Sequence, residues 1–256
     1  VMEHDGLNYI EAIKYLAQKY GIEIIEEEQT DEQAEKQNER DSLYIVLNFA
    51  NEFFKHNLKE TDEGRSIGLS YFKERGFNEK IIDRFELGYS LDAWDGMLKE
   101  ATEKAYSEEL LEKAGLIVVK SEEKKYDRFR GRVIFPIHNI SGKVVGFGAR
   151  TLKKDDKPKY LNSPESEVYH KSKILYGIYE AKQAIRKEDN CYLVEGYTDV
   201  ISLHQSDIEN VVASSGTSLT EDQIKLISRF SKNITVLFDG DAAGLKASLR
   251  GIDMIL

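Results

Sequence analysis

The stretch Asn233-Ile234-Thr235-Val236-Leu237-Phe238-Asp239-Gly240-Asp241-Ala242-Ala243-Gly244 decides how the chain is read. Five consecutive apolar or β-branched residues, 234–238, predict a buried strand. Two aspartates fall where that strand should end, and Gly240 between them permits a sharp turn. Small residues then lead into a helix-compatible run over 245–256. A strand that carries two carboxylates to its carboxyl tip has the makings of a divalent-metal site. An isolated Asp-Gly-Asp is more often a turn or a helix cap, so the reading needs further carboxylates. A calcium loop is excluded: Asp239, Asp241 and Gly244 fit its positions 1, 3 and 6, but Ala243 and Arg250 stand where ligands are required.

Working outward, residues 191–194 predict a strand ending in Glu195-Gly196, followed by a helix over 197–205. A second strand, 211–214, ends in Ser215-Gly216-Thr217, and Ser218-Leu219-Thr220-Glu221 reads as a capping box opening a helix to residue 230. This alternation predicts an α/β unit with a largely parallel sheet, covered on both faces and joined by right-handed crossovers. In such sheets functional groups collect at the carboxyl ends of strands. Glu195 falls at one such end and Asp239 and Asp241 at another, with Asp199 on the first turn of the intervening helix. Hard oxygen ligands without His or Cys suit Mg²⁺ or Mn²⁺, not zinc. Carboxylate-held Mg²⁺ typically works on phosphates.

Upstream the pattern is different. Residues 7–17 have helical spacing with Gly21 as a stop, 22–25 a short strand, and 26–40 a polar helix face or linker. Helices are predicted over 43–58, 64–74 and 79–85, with more helix to residue 113. Near residue 116 the period changes to two. Residues 116–119 predict a strand, and 133–138 and 143–150 a hairpin closed by a turn at 139–142. Gly146-Phe147-Gly148 is not a nucleotide loop, because no helix opens after it; strand glycines permitting close packing are expected. Residues 158–165 form a turn-rich loop, and 169–186 a helical run interrupted at Gly177. The fold class is therefore a helical and mixed α+β N-terminal subdomain followed by an α/β subdomain.

Net charge over the 256 residues is −10, which argues at first against nucleic acid. The average conceals an asymmetry: residues 124–187 hold 16 Lys and Arg against 6 Asp and Glu, and the remainder carries −20. A basic middle inside an acidic chain is what a phosphate-tracking groove looks like in sequence. Residues 153–159 alone fit a solvated lysine loop; Arg128, Arg130 and Arg132, set among apolar residues, fit it less well. The single cysteine, Cys191, excludes an internal disulfide, and the five histidines lack metal-ligand spacing. No apolar run approaches a membrane span, and no secretory signal is present at the start, so a cytoplasmic location without a membrane partner is expected.

Glu195-Gly196-Tyr197-Thr198-Asp199, followed by Asp239-Gly240-Asp241-Ala242-Ala243-Gly244, resembles the Toprim signature shared by bacterial primases, topoisomerases and some nucleases. Arg128-Phe129-Arg130-Gly131-Arg132-Val133-Ile134-Phe135-Pro136-Ile137 narrows the resemblance to the bacterial replicative primases of the DnaG type. Pro158-Lys159-Tyr160-Leu161-Asn162-Ser163-Pro164-Glu165, His170-Lys171 and Leu175-Tyr176-Gly177 point the same way. The resemblance implies a DNA-directed RNA polymerase core that makes short RNA primers on single-stranded DNA from NTPs, passing through an RNA–DNA hybrid. It implies metal-assisted chemistry at Glu195, Asp239 and Asp241, with Asp199 nearby. It further implies nucleotide or DNA contacts by Arg75, Arg128, Arg130, Lys159, Tyr160, Asn162 and Lys171, to which the setting of the basic residues adds Arg132.

By that resemblance, residues 1–30 would be the trailing helix of a zinc-binding domain and a linker, 31–187 the basic subdomain, and 188–256 an incomplete Toprim subdomain. Zinc would belong only to the absent N-terminal domain, and a replicative helicase would bind through an absent C-terminal one. Such a protein would work at replication forks on the nucleoid. The rival readings are another Toprim nuclease or topoisomerase, and a nucleic-acid-binding module without chemistry. A topoisomerase would give the 124–177 region no role, and a bare scaffold would not need three acidic residues.

Overall fold

The computed structural model describes residues 17, 19–20, 31–214 and 219–240. The elements expected at 7–16, 22–25 and 245–256 lie outside them, as do Ser215, Gly216, Thr217 and Asp241. Packing divides the chain into Val1–Glu39 and Arg40–Leu256, and every contact below lies in the second unit.

Helix α1 (Asp31–Glu60) buries Leu43, Val46, Leu47, Ala50, Phe54 and Leu58, a stripe at three- and four-residue spacing. The helix predicted over 64–74 begins as a π-helical segment, Gly64–Leu69, and becomes α-helical only in α2 (Ser70–Glu74). The hydroxyls of Ser66 and Ser70 donate back to the carbonyls of Asp62 (2.7 Å) and Arg65 (3.3 Å), competing with the regular ladder there. Helix α3 (Glu79–Arg84) starts where the Asn78 side chain accepts the Ile81 N–H at 2.9 Å.

Strand β1 (Gly88–Ser90) is followed by α4 (Gly96–Glu103) and α5 (Glu108–Lys113), then by a small hairpin of β2 (Ile117–Ser121) and β3 (Lys124–Asp127). The polar sequence Lys-Lys-Tyr-Asp gave no strand signal for β3. It is held by pairing with β2 and by the Asp127 carboxylate, which accepts the N–H groups of Met97 (2.7 Å) and Leu98 (3.1 Å) at the start of α4. Strands β4 (Arg132–His138) and β5 (Val144–Thr151) form the expected hairpin, Phe135 opposite Gly148. With β1 and a short strand β6 (Tyr160–Asn162) they form an antiparallel sheet of order β1-β4-β5-β6. Strand β6 falls inside the segment expected to be loop, because β5 runs on to offer Gly148, Ala149 and Arg150 as pairing partners. Alternate β4 residues serve two cores: Val133, Phe135 and Ile137 face one, Ile134 the other.

Beyond Gly177 (φ +80°), helix α6 (Ile178–Glu188) leads into the second sheet. Strand β7 (Cys191–Val194), helix α7 (Tyr197–Gln205), strand β8 (Val211–Ala213), helix α8 (Glu221–Ile227) and strand β9 (Ile234–Val236) follow, with parallel order β8-β7-β9. Cys191 and Leu193 pack with α6 and Ile227 of α8, whereas Val194, Val211 and Ala213 join Tyr197, Val200 and Ile201 of α7. The sheet is thus covered on both faces at β7 and β8. Strand β9 is less buried than predicted, with Thr235 exposed and Leu237 just beyond it exposed as well. The capping box of α8 sits two residues later than expected: Thr220 Oγ1 accepts the Gln223 N–H (3.2 Å) and Gln223 Oε1 accepts the Thr220 N–H (3.1 Å).

Candidate functional site

The sheet order brings the ends of β7 and β9 side by side. Leu237 N–H donates to the Leu193 carbonyl (2.8 Å), and two residues on, Asp239 N–H donates to Glu195 Oε1 (3.1 Å). Two acidic residues 44 positions apart in sequence therefore meet at one corner. Asp199 stands on the first turn of α7, where its Oδ2 accepts the Gly196 N–H at 3.0 Å. Partial desolvation pushes the Asp199 carboxyl pKa above its ordinary value. The charge of Asp239 adds to the rise; the Gly196 N–H and the charge of Arg75 oppose it. Arg75 thus lies within electrostatic reach of the acidic corner.

The acidic side chains near this corner, Glu195, Asp199 and Asp239, offer only oxygen, which would suit a hard divalent cation and offers nothing to zinc. Among the described residues no three ligating side chains converge on one point. Two carboxylates plus waters remain a normal way of holding Mg²⁺, so the corner fits such an ion.

The basic residues line two adjoining clefts. The larger, about 790 Å³, is bordered by Tyr71, Arg75, Arg150, Lys153, Lys154, Lys157 and Lys159. The smaller, about 390 Å³, is bordered by Arg128, Arg130 and Arg132, with Lys153, Lys154, Asp92 and Asp156. The three arginines have different surroundings. Arg130 lies over the rings of Trp94 (4.2 Å) and Tyr126 (4.8 Å), and Trp94 itself is 50% exposed. Burial lowers the Arg128 guanidinium pKa and leaves its Nε without a partner. Arg132 is buried, pairs with Asp156 at 2.9 Å and donates to the Pro158 carbonyl at 3.0 Å, tying down the loop 156–159.

Lys159 and Tyr160 are exposed at the rim, beside Arg150. Asn162 accepts the Tyr197 hydroxyl hydrogen bond at 2.8 Å, which links β6 to the first residue of α7. Lys171 is not brought to either cleft by the contacts it makes: its N–H donates to Glu165 (3.0 Å) and its carbonyl accepts from Gln223 (3.0 Å). Sequence reading missed Arg150, Tyr71 and Trp94. Arg150 is the one half-buried residue of a strand whose other residues are all buried, so no alternation marks it; the meeting of Trp94 with Tyr126 depends on the β2–β3 hairpin and has no periodic signal either.

An acidic corner at the ends of paired parallel strands, in one fold with arginine- and lysine-lined clefts, is the kind of arrangement found in nucleic-acid enzymes that work on phosphates with divalent cations. Residues 53–182 match the family described as DNA primase catalytic core, N-terminal domain, and residues 192–256 match a Toprim-like family. The chain belongs to the DnaG-type bacterial DNA primase catalytic cores. It is 42% identical over 253 residues to a DNA primase of Halalkalibacterium halodurans, covering 98% of this chain and 41% of that protein. To a DNA primase of Clostridium acetobutylicum it is 45% identical, covering 100% and 41%. The chain thus spans about two fifths of the length of these relatives. The DnaG primase catalytic domain bound to ssDNA superposes with a TM-score of 0.78 at 39% identity, over 86% of this chain and 68% of that one. The RNA polymerase domain of the Mycobacterium tuberculosis primase gives 0.78 at 35%, over 84% and 71%. The zinc-binding and RNA polymerase domains of the Aquifex aeolicus primase give 0.78 at 34%, over 100% and 60%.

Proposed function

We propose that this chain is catalytic machinery for laying short RNA primers on single-stranded DNA. The observation that carries the reading is the contact between Asp239 and Glu195 at the carboxyl ends of paired parallel strands. The reaction is attack of a primer 3′-hydroxyl on the α-phosphorus of an incoming nucleoside triphosphate. A new P–O bond forms, the bond to the β-phosphate breaks, and pyrophosphate leaves while the hydroxyl proton passes to solvent.

In this reading Glu195, Asp199 and Asp239, together with Asp241 outside the described residues, are the groups that would hold Mg²⁺ or Mn²⁺. When bound there, such an ion supplies neutralisation of the charge that develops on the transferred phosphate. The remaining work falls to the chain itself. Arg75, Arg150 and Lys159 border the larger cleft and hold the triphosphate. Arg128 and Arg130 hold the template backbone, with exposed Trp94 offering a face on which a base can stack. Arg132, Tyr160 and Asn162 shape the loop and strand between the two clefts.

Titration with Mn²⁺ followed by electron paramagnetic resonance is the direct test of the corner. A site in the wild-type chain that is lost in Asp239→Ala and in Glu195→Gln supports the reading. Mn²⁺ bound equally by all three proteins removes it. In a chain of the length of the relatives, ribonucleotide incorporation on single-stranded DNA should vanish with Asp239→Ala; full synthesis by that variant sinks the catalytic assignment.

A further inference from the structure

The ring of Tyr71 lies against two guanidinium groups. The central carbon of Arg75 stands 5.0 Å from its centroid and that of Arg150 4.8 Å. Arg150 also has the Tyr160 ring at 5.9 Å. Two like charges gathered on one ring repel, and the negative face of the ring offsets part of that repulsion. The ring face is the contact that both guanidinium groups share, and the buried Tyr71 hydroxyl makes no hydrogen bond of normal geometry, although the Arg150 charge acts on it. Arg150 Nε is buried and unpartnered, so the guanidinium is held in place by its packing and by the rings it lies over.

We propose that Tyr71 is a positioning residue for polyphosphate recognition: its ring holds Arg75 and Arg150 together as a preformed cationic pair matched to a nucleotide's triphosphate. The inference rests on the reading of the larger cleft given above, where Lys159 completes the cationic wall. Helix α2 supplies Tyr71 and ends at Arg75, its C-terminal cap, four residues on. That i,i+4 spacing puts ring and guanidinium on one face. Arg150 arrives from β5. The ring therefore ties a helix end to a sheet strand through the two charges that the substrate needs, and a bound triphosphate would relieve the repulsion that the ring only partly offsets.

The test measures the affinity of this chain for inorganic tripolyphosphate by calorimetry at low salt. Tyr71→Phe keeps the ring and is expected to bind as the wild type does. Replacement of Tyr71 by pentafluorophenylalanine keeps size and shape but reverses the sign of the ring face. It is expected to weaken binding about tenfold with the melting temperature held near that of Tyr71→Phe. Arg75→Gln and Arg150→Gln serve as controls for the cleft itself. If both controls weaken binding and the fluorinated ring binds as tightly as phenylalanine, the role of Tyr71 is overturned. If neither control matters, or the wild type does not bind tripolyphosphate, the reading of the cleft falls and the inference with it. Side-chain resonances of Arg75 and Arg150 give a second readout that needs no ligand. Ring-current shifts on both, lost in Tyr71→Leu and kept in Tyr71→Phe, are expected; their absence in the wild type overturns the geometry.

Discussion

The Tyr197 hydroxyl donates to Asn162 while its ring lies flat on Phe135 (5.1 Å, 9°) and edge-on to Tyr176 (4.7 Å). This one side chain, two residues beyond Glu195, fixes where the acidic corner stands relative to β6. Tyr197→Phe keeps both ring contacts and gives up the hydrogen bond, so a stability loss of about 1 kcal/mol in urea denaturation is expected. Gly148→Ala should cost more, about 1–3 kcal/mol, because a Cβ there would stand 2.3 Å from the Tyr197 ring carbon. The motif spelled out Glu195 and Asp239 in advance. It did not show that Asn162, expected to touch nucleic acid, spends its side-chain oxygen on Tyr197. Nothing in the spacing of residues 35 apart announces such a bond.

Among the elements, β4 ends in a buried charge cluster. His138 donates through its ring to Glu86 (2.9 Å) and Glu180 (3.2 Å), joining β4 to the turn after α3 and to α6. Glu86 also takes the Asn51 amide (2.9 Å) and pairs with Lys55 (3.3 Å) on α1. Burial alone would lower the His138 pKa, yet hydrogen bonds to Glu180 and Glu86 outweigh it and raise the imidazole to about 9. The His138 bond, acting against burial and aided by Lys55, holds Glu86 down at about 2. The protonated imidazole is bound more tightly in the folded than in the unfolded chain, so its contribution is complete below its ordinary 6.5 and is lost as pH climbs through about 9. Melting temperature should therefore fall between pH 6.5 and 9, and His138→Gln should remove that slope while lowering the whole curve; an unchanged slope in the variant refutes the assignment. The elements themselves were legible where a periodic apolar pattern coincides with a buried face, as in α1, β4, β5 and β7. Strands β3 and β6 were not, since their pairing is supplied by neighbours already in place, and the π-helical start near Gly64 depends on hydroxyl contacts that carry no periodicity.

For the whole molecule, the net charge of −10 and the basic groove act on different ranges. Over distances beyond a Debye length the acidic remainder is screened, whereas a phosphate seated in the groove would feel its charges directly. Binding of a single-stranded oligonucleotide should weaken steeply with salt, each phosphate contact contributing a slope of about −0.7 in log affinity against log salt. Arg128→Ala should reduce that slope by about one contact. Trp94→Ala should leave the slope unchanged and weaken binding at every salt concentration by at least about fivefold, the signature of lost stacking. Fluorescence anisotropy across a salt series measures both, and a slope near zero in the wild type removes the groove reading. Charge counting along the sequence located this surface. It could not sort the arginines, because only folding makes Arg132 a tether for the 156–159 loop and sets Arg130 on Trp94.

The sequence matches two families in succession, yet the packing does not respect the seam between them. A single apolar cluster takes Phe72, Phe85, Val133 and Phe135 from before residue 182 and Val194, Tyr197, Val200 and Val211 from after residue 192. Severing the chain in that interval would open this shared cluster and bare apolar surface on both pieces, although the first piece keeps a cluster wholly its own. The two halves are inherited as separate words but should melt as one, in a single cooperative calorimetric transition; two resolved transitions would refute that.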